Sequence, residues 1–223
     1  ARPGDAVQPS MKRVRTYVGL GCLLAGLGLL GWFAWQLIGT TYVSHRAQRD
    51  VVDALEQQWA AGADAAETDH GTSRAIVRIP QFGDDYEVPV VEGTSDEALA
   101  SGIGHFEDTA DAGGAGNYVL AGHRITHGEP FRDLPDLAPG DQVLVETRDT
   151  VYTYELTTGG EDLEVPFTAS WVLASHPANP DADGPQPPAD DHLLTLTTCA
   201  ELFHTDERLV VFGKLVSAEP RGA

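Results

Sequence analysis

The chain has 223 residues, 42% of them hydrophobic and 22% charged, which suits one compact domain with an anchor and is too short for two domains of comparable size. Its 34 acidic residues against 14 basic ones give a net charge of -20; a surface of that sign repels phosphate backbones and anionic lipid heads and argues against a nucleic-acid partner. The acid excess reads as a solubility feature and belongs to the part after Thr40, since Arg2, Lys12, Arg13 and Arg15 precede that point against Asp5 alone.

Residues 1–16 read as a cytoplasmic tail, basic at its far end. From Tyr17 to Ile38 no residue is charged, and at ~1.5 Å of rise per residue such a stretch crosses a ~30 Å hydrocarbon core, so 17–38 is expected to be a transmembrane helix. A cleaved signal peptide fits less well, because its apolar part spans about 7–15 residues and ends in small ones, whereas this run ends Trp35-Gln36-Leu37-Ile38. Lipid attachment at Cys22 also fits poorly, since the apolar run continues well past it. Lys12, Arg13 and Arg15 put the N-terminal side in the cytoplasm and everything after Thr40 outside.

Ser44 is a candidate cap for a juxtamembrane helix within 39–60, with Val43, Ala47, Val51, Leu55 and Trp59 on one stripe. That helix is either a stalk or packed on the domain. Residues 61–73 hold little large apolar content and are expected to be a linker, which starts the folded domain at 74 and ends it at 218. Within it, Ala75 to Ile79 and Glu87 to Val91 read as strands, the second an edge or irregular one because of Pro89. Thr94 with Glu97 forms a capping box ahead of a helix face of Leu99, Ile103 and Phe106. Further strands are expected at Asn117 to Ala121, Gln142 to Glu146, Val151 to Leu156, Leu163 to Val165, Trp171 to Ala174, Leu193 to Cys199 and Leu209 to Val216, with a helical turn around Phe131 to Leu137. The stretch 176–192 is a long loop rich in Pro and Asp, and Asp181-Ala182-Asp183-Gly184 in it lacks the bidentate acid of a calcium loop. Many short strands and no βαβ rhythm indicate a mainly β barrel.

The chain has two cysteines, and Cys22 lies within the expected span. Cys199 is therefore a lone thiol in an exported domain, where it is either a reactive group or a liability. A thiol attacks as its thiolate, so a catalytic one needs a base or cation nearby and donors for the oxyanion formed on a carbonyl. His123 is the best candidate base, at the end of an apolar strand after Ala121-Gly122, whose small side chains admit another backbone; His127 is second. Arg208 opens the strand expected beside Cys199. Its guanidinium either reaches a developing oxyanion or simply faces Asp206 or Glu207.

Thr195-Leu196-Thr197-Thr198-Cys199 resembles the TLxTC signature of sortases. Gly122-His123-Arg124 resembles the segment with their catalytic histidine, and Arg208 stands where their catalytic arginine stands. The resemblance covers about Arg74 to Val216 and is finest to actinobacterial class E sortases through Asn117 to Gly128. It implies an eight-stranded sortase-like β-barrel with a few short helices behind a transmembrane helix, and a cysteine transpeptidase that needs no cofactor or metal. It implies Cys199 as nucleophile, His123 as acid and base, Arg208 on the oxyanion, and substrate contacts at Tyr118, Thr198 and the backbone of Ala200. The implied partners are surface proteins bearing an LAxTG or LPxTG sorting signal and a peptidoglycan precursor amine, at the outer face of the cell membrane. Tyr118, linked by the resemblance to an LAxTG preference, reads equally as an aromatic strand residue. Ala200-Glu201-Leu202-Phe203 departs from the pattern, and the absence of a second span argues against a pilus-polymerising class C enzyme. The competing readings are a secreted hydrolytic cysteine protease and a non-catalytic surface binding domain.

Overall fold

The computed structural model describes residues 11–35, 39–199 and 206–222, which fall into two compact units, 1–39 and 40–223. The first contains helix α1 (Met11–Ala34), whose 19-residue stretch Arg15–Phe33 is apolar and long enough to cross a membrane. At ~1.5 Å per residue that stretch is about 29 Å long. Leu20, Leu23, Leu24, Leu27, Leu29 and Leu30 are all exposed on it, an all-round apolar surface that suits lipid and not water. The last residues of the expected span, 36–38, lie outside the described residues.

The second unit opens with helix α2 (Thr40–Ala60). It begins before the expected cap, so Ser44 is enclosed in the helix and 3% exposed. Ala47, Val51, Leu55 and Trp59 of the expected stripe are buried, while Val43 is exposed. Val52, Leu55 and Trp59 pack with Ala66 and Ile76. The helix is thus packed on the domain and is no stalk. Trp59 is clamped further: its Nε1 donates to the Asp64 carbonyl at 3.3 Å, and the Arg221 guanidinium lies 4.4 Å from the centre of its ring.

The expected linker 61–73 is corrected by a hairpin of β1 (Ala66–Thr68) and β2 (Gly71–Arg78), paired from Ala66 opposite Ser73 to Thr68 opposite Gly71. Gly71, at φ 114°, supplies the left-handed turn. The segment's small residues suggested a linker, but Ala66 needs no large side chain to be sealed under Trp59. The folded unit begins with α2.

Beyond β2 come β3 (Val88–Glu92), α3 (Asp96–Ser101), β4 (Ile103–His105), β5 (Gly116–Ala121), β6 (Gln142–Glu146), β7 (Thr150–Leu156), β8 (Glu164–Pro166), β9 (His192–Cys199) and β10 (Glu207–Pro220). The order β2-β3-β4-β5-β9-β10-β7-β6 closes on itself through the β2–β6 pairing, which makes an eight-stranded barrel, with β1 and β8 added outside. The neighbours β3–β4 and β5–β9 are parallel and the rest antiparallel. Val77, Val90, Leu120, Tyr154, Leu194, Leu196 and Val211 fill the interior. The opposite faces of β2 and β10 are covered too, Ile76 by α2 and Val210 with Phe212 by Leu163, Val165 and Val172. Burial on both faces explains why these strands read as unbroken apolar runs.

Three local readings change. Strand β3 is interior, not an edge: β2 flanks one side and β4 the other, with the β4 pairing starting at Val90, just past Pro89. The cap of α3 is Ser95 and not Thr94, its side chain accepting from the Ala98 N–H at 3.3 Å; the helix stops before Ile103, since Gly102 is extended at φ 172°, and there a Cβ would lie 2.3 Å from the Pro89 carbonyl oxygen. Trp171 to Ala174 is no strand, since Ser170–Leu173 forms a 3-10 turn.

Leu55 is fully buried and Val43 is not. Leu55→Ala should lower unfolding stability by about 2–5 kcal/mol and Val43→Ala by under about 0.5 kcal/mol in urea titrations of the full chain; equal small effects would mean that α2 does not pack on the barrel.

Candidate active site at the ends of β5 and β9

Strands β5 and β9 run side by side from Gly116 opposite His192 to Ala121 opposite Thr197. Past the last pair, Gly122 N–H donates to the Thr197 carbonyl at 3.1 Å. The Thr198 hydroxyl, 3% exposed, donates back to the Gly122 carbonyl at 2.8 Å. These two bonds carry the register forward and bring His123 level with Cys199. On the other side of β9, antiparallel β10 sets Arg208 opposite Cys199. Three residues far apart in sequence thus meet at one end of the barrel through backbone pairing alone.

Gly122 is small for a reason other than the one expected. What approaches it is a ring and not a backbone: a Cβ there would lie 2.6 Å from Phe131. Phe131 is fully buried and its N–H donates to the His123 carbonyl at 3.0 Å, closing the turn that presents the histidine. His127 stacks on His123 with ring centres 4.8 Å apart and planes at 31°. Burial, then the neighbouring His127, push His123 down from 6.5 to about 4, while Asp96 of α3 acts in the opposite sense. Arg208 is half-buried and its Nη1 donates to the Glu207 carbonyl at 3.0 Å.

The remaining expected site residues divide. Thr198 is built into the junction as the hydroxyl that ties β9 to Gly122. Ala200 lies outside the described residues. Tyr118 stands apart: it is 3% exposed, pairs with Leu194 well before the end of β9, and its ring sits 4.8 Å from that of His105. Burial raises its hydroxyl's pKa. Its burial on β5 matches the aromatic strand residue of the alternative reading. It borders a cavity of about 750 Å³ together with Arg74, Glu92, His105, Arg148 and Thr150. Thr150 pairs with Pro220, the end of β10 remote from Arg208, so that cavity is at the far end of the barrel from Cys199.

Sequence reasoning missed Asp96 and Gln48, which reach the histidine turn from α3 and α2. Gln48 is 4% exposed, and a Cβ on Gly128 would lie 2.6 Å from its Nε2. The only sequence signal was Gln48's place beside Ala47 on a stripe otherwise apolar. Among the described residues no group of three or more His, Cys, Asp or Glu is arranged to hold a metal ion; Asp181 to Gly184 is shaped instead by side-chain turns such as Asp183 N–H to Asp181 Oδ1 at 3.1 Å.

A closed barrel whose backbone register sets a cysteine, a histidine and an arginine at one end defines a class of β-barrel proteins with a candidate site there. Residues 77–216 match the sortase domain family. Sortase SrtE1 of Streptomyces coelicolor is 32% identical over 99% of this chain, which spans 61% of that relative's length. The solved sortase E of Streptomyces avermitilis superposes with a TM-score of 0.58 at 35% identity, covering 69% of this chain and 93% of that one. Sortase E1 from Streptomyces coelicolor, solved with a tripeptide in the active site, gives 0.55 at 35% identity over 70% of this chain and 94% of its own. The chain belongs to the sortase family, a family of cysteine transpeptidases, and is similar within it to the class E members.

A histidine held to about 4 stays neutral in the folded chain while the unfolded chain takes up its proton between about 6.5 and 4. Over that window the unfolded state binds more protons, so stability falls as pH drops. Replacing His123 with Gln should flatten this part of the dependence, read as the urea midpoint from pH 7 to pH 4 in both proteins; parallel curves would show that His123 is not held neutral.

Proposed function

We propose that this chain is a membrane-anchored transpeptidase that cuts a sorting signal of the LAxTG or LPxTG type between Thr and Gly and transfers the new carboxyl end to an amine of a cell-wall precursor. The observation that supports it most is the double pairing at Cys199, with Arg208 opposite it in β10 and His123 beside it after β5. In this reading the Cys199 sulfur attacks the Thr carbonyl, Arg208 and the Ala200 amide hold the oxyanion, and the tetrahedral adduct collapses to a thioester. His123 gives a proton to the departing glycine amine, then takes one from the incoming amine as it displaces the thiol. The apolar stretch Arg15–Phe33 serves as its membrane span. The basic residues before it place the N-terminus in the cytoplasm and the barrel outside.

The depressed His123 bears on how the thiol is activated. With His123 held at about 4, its imidazolium is scarce at neutral pH, so few molecules hold thiolate and imidazolium together at rest. The neutral imidazole therefore acts first as base, taking the thiol proton as the sulfur attacks, and the proton it has gained goes to the leaving amine. A preformed ion pair is not required.

Two measurements check this. Mixing the full chain in detergent with LAxTG and LPxTG peptides and an amine acceptor should give an amide-linked product by mass, and a thioester adduct trapped when the acceptor is omitted; Cys199→Ala should give neither. Release of free acid alone, unaffected by amine, would identify a hydrolytic protease. Separately, alkylation of Cys199 by iodoacetamide, with Cys22 replaced by Ser, should rise with pH only above about 7. A plateau of reactivity reached below pH 6 would mean a resting thiolate and overturn the neutral-pair mechanism.

A further inference from the structure

The turn after His123 has a geometry that its role in the barrel does not require. His127, Gly128 and Glu129 lie successively at φ 54°, 80° and 50°. Left-handed backbone at two side-chain-bearing residues, one on each side of a glycine, is strained and persists only where the surroundings impose it. What imposes it comes from α2, since the Gln48 amide sits where a side chain at position 128 would be, with Nε2, Cδ and Oε1 at 2.6, 3.2 and 3.3 Å from a Cβ built there. Among the described residues two buried side-chain polar atoms lack a hydrogen-bond partner: Nε2 of Gln48, whose amide packs on Gly128, and Nδ1 of His127, the residue just before that glycine. Leaving a buried polar atom unmatched is costly. These two are chemically complementary, an amide donor and an imidazole nitrogen able to accept, and they flank one glycine.

We propose that Gln48 of α2 is a positioning residue for His123, donating from its side-chain amide to Nδ1 of His127 in the working enzyme and so fixing the ring that stacks on His123. This rests on the reading of His123 as the acid and base of the transfer. The bond keeps the His127 proton on Nε2 and leaves the ring uncharged beside His123. A cation there disfavours the imidazolium that His123 must become during the reaction. The charged and titratable groups of the turn are Arg124, His127 and Glu129, the last paired with Arg132 at 2.6 Å, with Asp96 of α3 acting on His123; His45, Arg49 and Asp53 of α2 and Asp85 and Glu87 line the cavity that Gln48 borders. Gln48 is uncharged, and its amide packs against Gly128.

The test uses the full chain in detergent with Gln48→Leu, Gln48→Glu, His127→Asn and the double variant Gln48→Glu with His127→Asn. Two readouts are taken: titration of His123 by NMR, which needs no activity, and the pH profile of peptide transfer. Gln48→Leu should lower kcat about tenfold with KM changed less than about twofold. A carboxylate at 48 draws a proton onto His127, so Gln48→Glu should move the His123 midpoint and the lower limb of the profile down by about half to one pH unit. With Asn at 127 the ring is gone, and the same carboxylate should leave the His123 midpoint in place or raise it. The same downward shift in both backgrounds, or no shift in either, overturns the proposal. If Gln48→Leu loses its fold by thermal melt, the Glu and Asn pair still decides. Should the parent chain transfer no peptide while the His123 midpoint depends on position 127 as stated, the functional reading fails and the coupling stands.

Discussion

The parallel pairing of β5 with β9 is the constraint on which the site depends. Parallel neighbours cannot be joined by a tight turn, and here the chain between Ala121 and His192 makes β6, β7 and β8 before returning. The register is held at several points. Inside the barrel Leu120 and Leu196 are both fully buried and matched as a pair. Outside it, Asn117 accepts from the Thr195 hydroxyl at 2.7 Å and donates to the carbonyls of Val172 and Ala174 at 2.9 and 3.2 Å. At the end Thr198 closes onto Gly122. A slip of one residue would send Leu194 and Leu196 to the outer face and break all these bonds at once. That cost is what keeps His123 level with Cys199.

Much of this was legible because it is local. The alternation and turn signals located β5, β6, β7, β9 and β10, and the uncharged run marked α1, since each depends on neighbouring residues in the sequence. The motif at Thr195 to Cys199, with His123 and Arg208, pointed to the residues that pairing brings together. The errors share a different cause. Strand β3 looked like an edge because Pro89 removes a donor, and only the three-dimensional register shows that its second neighbour starts one residue later. The segment 61–73 looked like a linker because its apolar content is small, and whether Ala66 is buried depends on Trp59 lying over it. Trp171 and Leu173 looked like strand residues, but they cover the outer face of β10 from a 3-10 turn. Tyr118, linked to the substrate by the resemblance and read equally as a strand residue, is carried by β5 to a place opposite Leu194, well before the end of β9.

Helix α2 changes what counts as the minimal site. The family match begins at residue 77, inside β2, so α2 and the first hairpin lie before it. They are nevertheless integral to the folded unit: Leu55 and Ile76 are both fully buried against one another's cluster. The same helix reaches the histidine turn through Gln48, so the packing that stabilises α2 also constrains the backbone at Gly128. Strain in a turn of three left-handed residues and a buttress from a separate element are two sides of one arrangement.

The charge state of His123 bears on the question that the sequence raises at Cys199, expected to be a lone thiol in an exported domain. Oxidation and adventitious alkylation proceed through the thiolate, so a cysteine paired at rest with a permanent imidazolium is reactive toward everything that reaches it. Burial and the adjacent His127 hold His123 near 4, with Asp96 as a partial counterweight. On the proposed mechanism the charged pair then exists only while a carbonyl is being attacked, when the oxyanion near Arg208 and the sulfur share the electrons that the proton leaves behind. On that mechanism the desolvation that depresses the histidine also keeps imidazolium scarce between substrates, and the substrate supplies the change in field that lets the proton move. An enzyme built this way gives up a standing population of nucleophile in return for a cysteine that stays reduced between substrates.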